Sequence, residues 1–209
     1  MRPALIDQIA DLVPGGRVGV DGVDGAGKST FAGHLAAALR DRGRPVVHVS
    51  ADDFHHPRAV RYRKGRDSPE GFFLDSYDYP ALVREVLEPF APGGSRRFRR
   101  ATHDVRTDEA LDLEWESAPQ DAVLIVDGLF LHRGELAGFW EFSVFLDAPF
   151  EVTVPRMARR DGSHPDPEHP SLARYVGGQR LYFATCDPHA RASAVIDNSD
   201  WRRPVILPR

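Results

Sequence analysis

The octet GVDGAGKS at positions 22–29 follows directly on the apolar, strand-like run of residues 17–21. It has the G-x-x-x-x-G-K-[ST] spacing of a phosphate-binding loop, in which glycines let successive backbone N–H groups turn inward around phosphates. Lys28 adds a positive charge, and Ser29 offers a hydroxyl to a magnesium ion. The helix predicted from here to about residue 42 directs its positive end at the anion. The octet predicts a nucleoside triphosphate site with Mg²⁺, and its candidate residues are Gly22, Asp24, Gly25, Ala26, Gly27, Lys28, Ser29 and Thr30.

Composition limits what the remainder of the chain can be. Its 209 residues, 42% of them hydrophobic, suit one α/β domain over residues 1–209. The net charge of −4 gives no reason to expect nucleic acid or an anionic membrane as the main partner. One cysteine, Cys186, excludes an internal disulfide and fits a reducing compartment. No window is apolar enough to span a membrane, so we expect a cytoplasmic protein.

Apolar runs of strand length alternate with helix-like segments along the chain. This alternation predicts a three-layer α/β/α fold with a mostly parallel central sheet. A small β-hairpin flap is expected at about 95–117 and a helical lid at about 155–175. The predicted strands cover residues 18–20, 45–50, 122–126, 142–147, 194–197 and 204–207. The predicted helices cover residues 4–12, 28–42, 80–90, 150–160 and 171–185.

Acidic residues follow two of the predicted strands. Asp127 ends the most apolar strand, where a carboxylate can serve a magnesium ion directly or through water, although Asp-Gly after a strand is also a common turn. Asp52 and Asp53 follow the second strand, at the sheet edge where open α/β folds bind ligands. Either aspartate can cap a helix. We favour Asp52 as the group that orients an acceptor hydroxyl and accepts its proton.

Four segments in this order and spacing resemble the uridine kinase family: the phosphate loop, SADDF at 50–54, LIVDG at 124–128 and RMARRD at 156–161. The resemblance covers most of the chain and extends to the fold of P-loop kinases such as pantothenate kinase, phosphoribulokinase and nicotinamide riboside kinase. It implies ATP-dependent phosphorylation of a hydroxyl on a small metabolite. It also implies that Asp52 is the catalytic base, assisted by Lys28. Ser29, Asp52 and Asp127 are the candidate metal ligands.

The acceptor side departs from the pattern of that family. His55 stands where an aromatic residue is usual, and Asp127 replaces a strand-end glutamate. The hairpin segment ATHDVR at 101–106 matches the family's acceptor-binding elements only in part. From the segments that match, the candidate acceptor residues are Asp52, His55, Phe72, His103, Asp104 and Arg106. The alternative for His103 and Arg106 is ordinary hairpin surface, and for Phe72 it is the core.

Three arginines, Arg156, Arg159 and Arg160, recur at helical spacing and resemble a lid helix of such kinases. The resemblance implies that Arg159 and Arg160 offset charge on the transferring phosphoryl group, and that Arg156 contacts the nucleotide. A solvated basic face is the alternative. Asn198 lies in the loop where related kinases hold adenine, and the absence of a following lysine disfavours a guanine-reading switch.

Three functions stay open at this stage. The leading one is a kinase of the uridine kinase type that uses ATP and Mg²⁺ and phosphorylates a nucleoside. The second phosphorylates pantothenate, nicotinamide riboside or a sugar. The third, from another class, is a P-loop ATPase switch without a small acceptor. The sequence carries no local sign of oligomeric state, so a homo-oligomer stays open as well.

Overall fold

A computed structural model describes residues 3–208, so residues 1, 2 and 209 of the predicted domain lie outside it. Its strands are β1 (Arg17–Gly22), β2 (Val46–Ser50), β3 (Arg97–Phe98), β4 (His103–Asp104), β5 (Glu109–Ala110), β6 (Glu116–Ser117), β7 (Val123–Asp127), β8 (Phe142–Asp147), β9 (Ala194–Asp197) and β10 (Val205–Ile206). Its α-helices are α1 (Pro3–Leu12), α2 (Lys28–Asp41), α3 (Arg58–Arg61), α4 (Pro69–Asp75), α5 (Tyr79–Leu82), α6 (Phe150–Asp161), α7 (Ala173–Cys186) and α8 (Pro188–Arg191).

Six strands form one sheet in the order β10-β9-β8-β1-β7-β2. All neighbours are parallel except β10, which pairs antiparallel with β9. Helices α1 and α2 pack on one face, while α4, α5 and α7 pack on the other. The structure therefore confirms the predicted three-layer fold with a mostly parallel sheet.

Strand β7 shows why the central strands read as unbroken apolar runs. Val123 and Ile125 point to the cluster beneath α2, whereas Leu124 and Val126 point to the opposite cluster. Side chains alternate across a strand, so a strand covered by helices on both faces needs apolar residues at every position. Asp127, the last residue of β7, is the only polar residue of this strand and lies at the sheet edge.

The segments between strands differ in detail from the sequence prediction. The helix expected at 80–90 begins as α5, capped by the Asp78 side chain, and continues as a π-helical turn at Val83–Leu87. The long polar stretch before it folds as a 3₁₀ turn, Ala51–Phe54, followed by α3 and α4. Another 3₁₀ turn, Pro170–Leu172, precedes α7. Helix ends of this kind depend on local caps and tertiary contacts.

The predicted flap is a hairpin with two nested ladders, β3 with β6 and β4 with β5. Hydrogen bonds join its root to β2 and to the 3₁₀ turn that follows β2. The Arg100 guanidinium donates to the His48 carbonyl oxygen at 2.9 Å, and the Thr102 amide donates to the Asp53 carbonyl oxygen at 3.0 Å. The flap therefore lies beside the segment that carries Asp52.

A buried carboxylate, Asp21, lies directly before the phosphate loop. It accepts hydrogen bonds from the Gly22 amide at 2.7 Å, from His132 Nδ1 at 2.8 Å and from the Tyr182 hydroxyl. His132 Nε2 pairs in turn with Ser143 Oγ at 2.9 Å. A buried carboxylate is stable only when it is hydrogen-bonded, so this network joins β1, β8 and α7 under the loop.

Within residues 3–208, no helix combines the length and the apolar character needed to cross a bilayer.

Replacing Tyr182 with phenylalanine removes a donor to the buried Asp21 carboxylate. We expect the free energy of unfolding to fall by about 1–3 kcal/mol, because the carboxylate stays buried with one partner fewer. Urea denaturation measures this change. Tyr175→Phe is the matched control on the same helix, with its hydroxyl outside the network, and equal stability of the two variants would contradict the role given to Asp21.

Candidate active site

The phosphate loop connects β1 to α2 through backbone angles that favour glycine. Gly25 and Gly27 have φ values of +77° and +94°, in the left-handed region. A Cβ on Gly25 would lie 2.6 Å from the Thr153 carbonyl oxygen, so helix α6 leaves no room for a side chain there. Helix α2 begins at Lys28, whose Nζ donates to the Val23 carbonyl oxygen at 3.0 Å. The loop thus has the closed shape and helix N-terminus of an anion site.

Ser29 and Asp127 meet at the carboxyl edge of the sheet. Ser29 Oγ donates to Asp127 Oδ2 at 2.6 Å, and the aspartate is only 2% exposed. A hydroxyl and a carboxylate are the hard oxygen donors that Mg²⁺ prefers, and Mg²⁺ commonly takes its other ligands from phosphates and water. These two residues therefore fit a magnesium ion bound with a triphosphate.

His48 completes this pair and was not among the residues singled out from the sequence. Its Nε2 lies 2.7 Å from Asp127 Oδ1, across the neighbouring strand. The available signal was a polar residue between the valines of β2, at a position whose side chain faces α2 rather than the opposite core.

Asp52 lies in the 3₁₀ turn that follows β2, with its side chain exposed. The Tyr77 hydroxyl donates to Asp52 Oδ1 at 2.9 Å. Burial and the adjacent Asp52 carboxylate raise the pKa of Tyr77 well above its ordinary value, so the phenol stays protonated and remains a donor. Asp52 is thus an accessible carboxylate held in place by a buried tyrosine.

His55 lies beside this pair. Its ring packs on Tyr77 with centroids 4.4 Å apart, and its Nδ1–H donates to the Asp52 carbonyl oxygen at 2.6 Å. Burial lowers the pKa of His55 below its ordinary value, which favours the neutral imidazole. The structure therefore brings Asp52, Tyr77 and His55 together. Tyr77 belongs to no motif, so its contact with Asp52 could not be predicted.

The predicted hairpin residues shape the tip of the flap. His103 is buried with Nε2 3.1 Å from Asp108 Oδ1. Asp104 Oδ1 accepts from the amides of Thr107 and Arg106, which lowers its pKa. Arg106 is exposed, and its carbonyl oxygen accepts from Arg58. These contacts are those of a folded hairpin, and a role for the three residues in acceptor binding stays a prediction.

Phe72 lies in the core and is 6% exposed. Its ring meets Phe130 and Tyr175 edge to face, with centroids 5.4 and 5.0 Å away. The structure thus places it among aromatic neighbours rather than on an open pocket wall. Phe72 is therefore a core residue, as the alternative drawn from the sequence had it. A direct contact of Phe72 with an acceptor stays a prediction.

The three arginines of α6 point to different partners. Arg156 donates to the carbonyl oxygens of Asn198 at 3.1 Å and Ser199 at 2.6 Å. Arg159 donates to the Pro155 carbonyl oxygen of its own helix. Arg160 pairs with Asp161 at 3.1 Å and has a second carboxylate, Asp24 of the phosphate loop, at 4.0 Å. The three guanidinium groups are therefore not gathered around one point in this structure.

A cavity of about 240 Å³ opens between the phosphate loop and the loop after β9. The buried Asn198 joins the two loops, since its Nδ2 donates to the Ala26 carbonyl oxygen at 2.6 Å. Trp201, which the sequence analysis did not select, lies at the cavity with 52% of its surface exposed. Residues lining the cavity are Gly25, Ala26, Gly27, Thr30, Arg156, Asn198 and Trp201.

Gln179 is a further residue without a sequence signal. It is buried on α7, and its Oε1 accepts from the Asp24 amide at 2.7 Å. This contact fixes the phosphate loop from the side opposite α2. It joins residues 155 positions apart in the chain.

A family comparison agrees with this geometry. The profile of the Phosphoribulokinase / Uridine kinase family matches residues 18–164, from β1 through α6. The chain belongs to this family. Members of the phosphoribulokinase / uridine kinase family are P-loop kinases that use ATP and phosphorylate alcohol groups. The resemblance drawn from the four sequence segments is therefore confirmed.

Solved structures share the fold of this family member. A possible uridine kinase from Bacillus stearothermophilus superposes with a TM-score of 0.68 and 24% identity, over 91% of this chain and 96% of the other. A protein of Silicibacter sp. TM1040, provisionally described as a fructose transport system kinase, gives 0.64 and 23%, over 88% and 95%. Phosphoribulokinase from Rhodobacter spheroides gives 0.58 and 16%, over 88% and 70%. At these identities the likeness establishes the fold.

Asp53 lies among other carboxylates, and this predicts that the stability of the protein depends on pH. Partial desolvation, together with the charges of Asp52, Asp127 and Asp104, raises the pKa of Asp53 above its ordinary 3.8. The folded protein then binds more protons than the unfolded chain above that pH, so the contribution of Asp53 to stability falls as pH rises. We expect Asp53→Asn to be more stable than wild type at pH 7, with the difference shrinking towards pH 4.

Denaturant unfolding at both pH values measures this effect. Asp104→Asn is the control of opposite sign, because hydrogen bonds from backbone amides lower the pKa of Asp104. That variant is expected to be less stable than wild type at pH 7. An Asp53→Asn variant that is destabilised at pH 7 would contradict the unfavourable charge placed there.

Proposed function

We propose that this chain transfers the γ-phosphoryl group of ATP to a hydroxyl of a small metabolite, with a nucleoside as the leading acceptor. One observation carries the proposal. The phosphate loop, Asp127 and Asp52 lie at or just after the ends of β1, β7 and β2, which are adjacent parallel strands. Their carboxyl ends meet at one edge, so the phosphate loop, a buried carboxylate and an exposed carboxylate lie side by side.

The loop and the Ser29–Asp127 pair form the proposed donor site. The backbone amides of the loop and Lys28 would hold the phosphates, and Ser29 with Asp127 would hold Mg²⁺. When bound, Mg²⁺ supplies positive charge that offsets charge on the phosphate oxygens. The cavity between the loop and Trp201 would receive the nucleobase of ATP, and Asn198 with Arg156 would form part of its wall.

Asp52 is the proposed base on the acceptor side. Its exposed carboxylate would accept the proton of the acceptor hydroxyl while Tyr77 fixes its orientation. His55 borders the same space. A direct metal contact of Asp52 is kept as a further prediction.

Arg160 and Arg159 are proposed to act late, when the site closes. Arg160 already lies towards the loop through Asp24, and its guanidinium can offset charge on the transferring group. We further propose that residues 1–209 form one kinase domain with a flap at 95–117 and a lid at 155–175. Closure of such a lid would exclude water that hydrolyses ATP.

A sugar or similar polyol is the second candidate acceptor. His55 occupies the place of the aromatic residue usual in uridine kinases, and its Nδ1 edge is already bonded to the backbone. The imidazole offers less stacking surface for a nucleobase than a larger aromatic ring, and Nε2 is the ring nitrogen left to contact a substrate hydroxyl. The alternative from another class, an ATPase switch, needs no acceptor at all.

Trp201 predicts an aromatic contact with the nucleotide base. We expect Trp201→Ala to weaken ADP binding by about 1–3 kcal/mol, the range typical of a base stacked on an aromatic side chain. Isothermal titration calorimetry measures the affinity, and quenching of tryptophan fluorescence in the wild type provides a second signal. Trp115→Ala, which removes another exposed tryptophan from the flap, is the control. Unchanged ADP affinity in the Trp201 variant would contradict stacking of the nucleobase on Trp201.

Asp52→Asn tests the base. We expect kcat to fall roughly a hundredfold to ten-thousandfold while ADP binding is retained, because the amide cannot accept the proton. Asp53→Asn makes the same chemical change one residue away and is expected to keep kcat within a few-fold. Near wild-type turnover by the Asp52 variant would exclude it as the base.

A panel of acceptors tests the reaction itself. ADP release is measured with nucleosides, sugars, pantothenate and nicotinamide riboside, and the product is identified by mass spectrometry. Acceptor-dependent ADP release with a phosphorylated product supports the kinase. ATP turnover that no acceptor changes would favour the ATPase switch.

A further inference from the structure

Asp127 has a partner on each carboxylate oxygen. Ser29 Oγ donates to Oδ2 at 2.6 Å, and His48 Nε2 lies 2.7 Å from Oδ1. The serine belongs to the phosphate loop motif, whereas the histidine belongs to no motif of the sequence. The aspartate is buried, so the His48 contact is what satisfies the oxygen that faces away from the loop.

The sheet register explains how His48 reaches this position. Strands β2 and β7 are parallel neighbours in which His48 is opposite Ile125 and Ser50 is opposite Asp127. His48 is therefore the diagonal neighbour of Asp127, two positions back along the adjacent strand. Alternation along each strand puts both side chains on the face that carries α2. A long imidazole spans a diagonal distance that a short side chain would leave open.

The contact restricts what the carboxylate can do. With Oδ1 held by His48, only Oδ2 remains directed towards the Ser29 hydroxyl and the phosphate loop. A carboxylate without that second partner could rotate about its χ angles and leave a buried oxygen unsatisfied.

We propose that His48 is a positioning residue for magnesium, acting through Asp127. This inference rests on the proposed function, because it assigns Asp127 to the Mg²⁺ of a bound nucleotide. His48 does not touch the metal or the phosphates. It fixes the carboxylate so that Oδ2 serves the ion or its water together with Ser29. Partners of this kind behind a metal ligand are typically worth about tenfold to hundredfold in metal affinity.

Metal-dependent nucleotide binding tests the proposal without relying on turnover. Binding of Mn²⁺ in the presence of ADP is followed by electron paramagnetic resonance, and ADP binding with and without Mg²⁺ by calorimetry. We expect His48→Leu to weaken Mn²⁺ binding about tenfold to hundredfold and to leave metal-free ADP binding unchanged. In kinetics, the Mg²⁺ concentration for half-maximal rate should rise, while kcat recovers at saturating Mg²⁺.

Two variants separate the hydrogen bond from simple packing. His48→Gln keeps an N–H donor near the position of Nε2 and should bind Mn²⁺ within a few-fold of wild type. His189→Leu removes another histidine that pairs with a carboxylate, Asp147 at 3.3 Å, outside the phosphate loop, and should leave Mn²⁺ binding unchanged. Thermal unfolding of each variant verifies that it is folded at the assay temperature.

The possible results separate support for the role of His48 from its refutation. Loss of metal affinity in the leucine variant with recovery in the glutamine variant supports the proposal. Wild-type Mn²⁺ affinity in a folded leucine variant would overturn it, as would equal impairment by leucine and glutamine. If the leucine variant loses metal-free ADP binding as strongly as it loses Mn²⁺ binding, the phosphate loop itself is damaged. That result would also overturn the proposal. A wild type whose ADP binding ignores Mg²⁺ would instead refute the proposed donor site.

Discussion

Parallel pairing of β1, β7 and β2 is the constraint on which the site depends. Because the three strands run in the same direction and in fixed register, their carboxyl ends deliver a phosphate loop, a buried carboxylate and an exposed carboxylate to one edge. The helices that cover both faces bury every residue of β7, so Asp127 at its carboxyl end is a buried carboxylate, whereas Asp52, in the turn after β2, is exposed. The polar side chains of the candidate site are therefore found at the strand ends and in the turns that follow them.

Sequence reasoning succeeded where the signal is local. The unbroken apolar run of β7 predicted a buried strand, and the glycine spacing predicted the phosphate loop. Each of these patterns is contained within a few consecutive residues. The π-helical turn after α5 and the extra helices before it were not, because caps and packing decide such details. Asp127 was predicted as the end of a strand, which is again a local property.

The partners of these residues could not be predicted. His48 and Asp127 are 79 residues apart, Asp24 and Gln179 are 155 apart, and the Asp21 network joins segments separated by more than 100. A histidine or glutamine looks the same in a sequence whether it is solvated or holds a buried acceptor. Helical spacing likewise places Arg156 on a helix without showing that it bonds to the Asn198 carbonyl oxygen.

The hydrogen bonds that attach the flap to the rest of the domain determine how it can move. At the root, Arg100 and Thr102 bind the backbone of His48 and Asp53, on either side of Asp52. At the tip, Arg58 of α3 binds the Asp108 carboxylate and the Arg106 carbonyl oxygen. A swing of the whole flap would break bonds at its root and at its tip, and would disturb both the end of β2 and α3. The flap is therefore clamped at two ends beside Asp52. Any large displacement of it would have to carry α3 along.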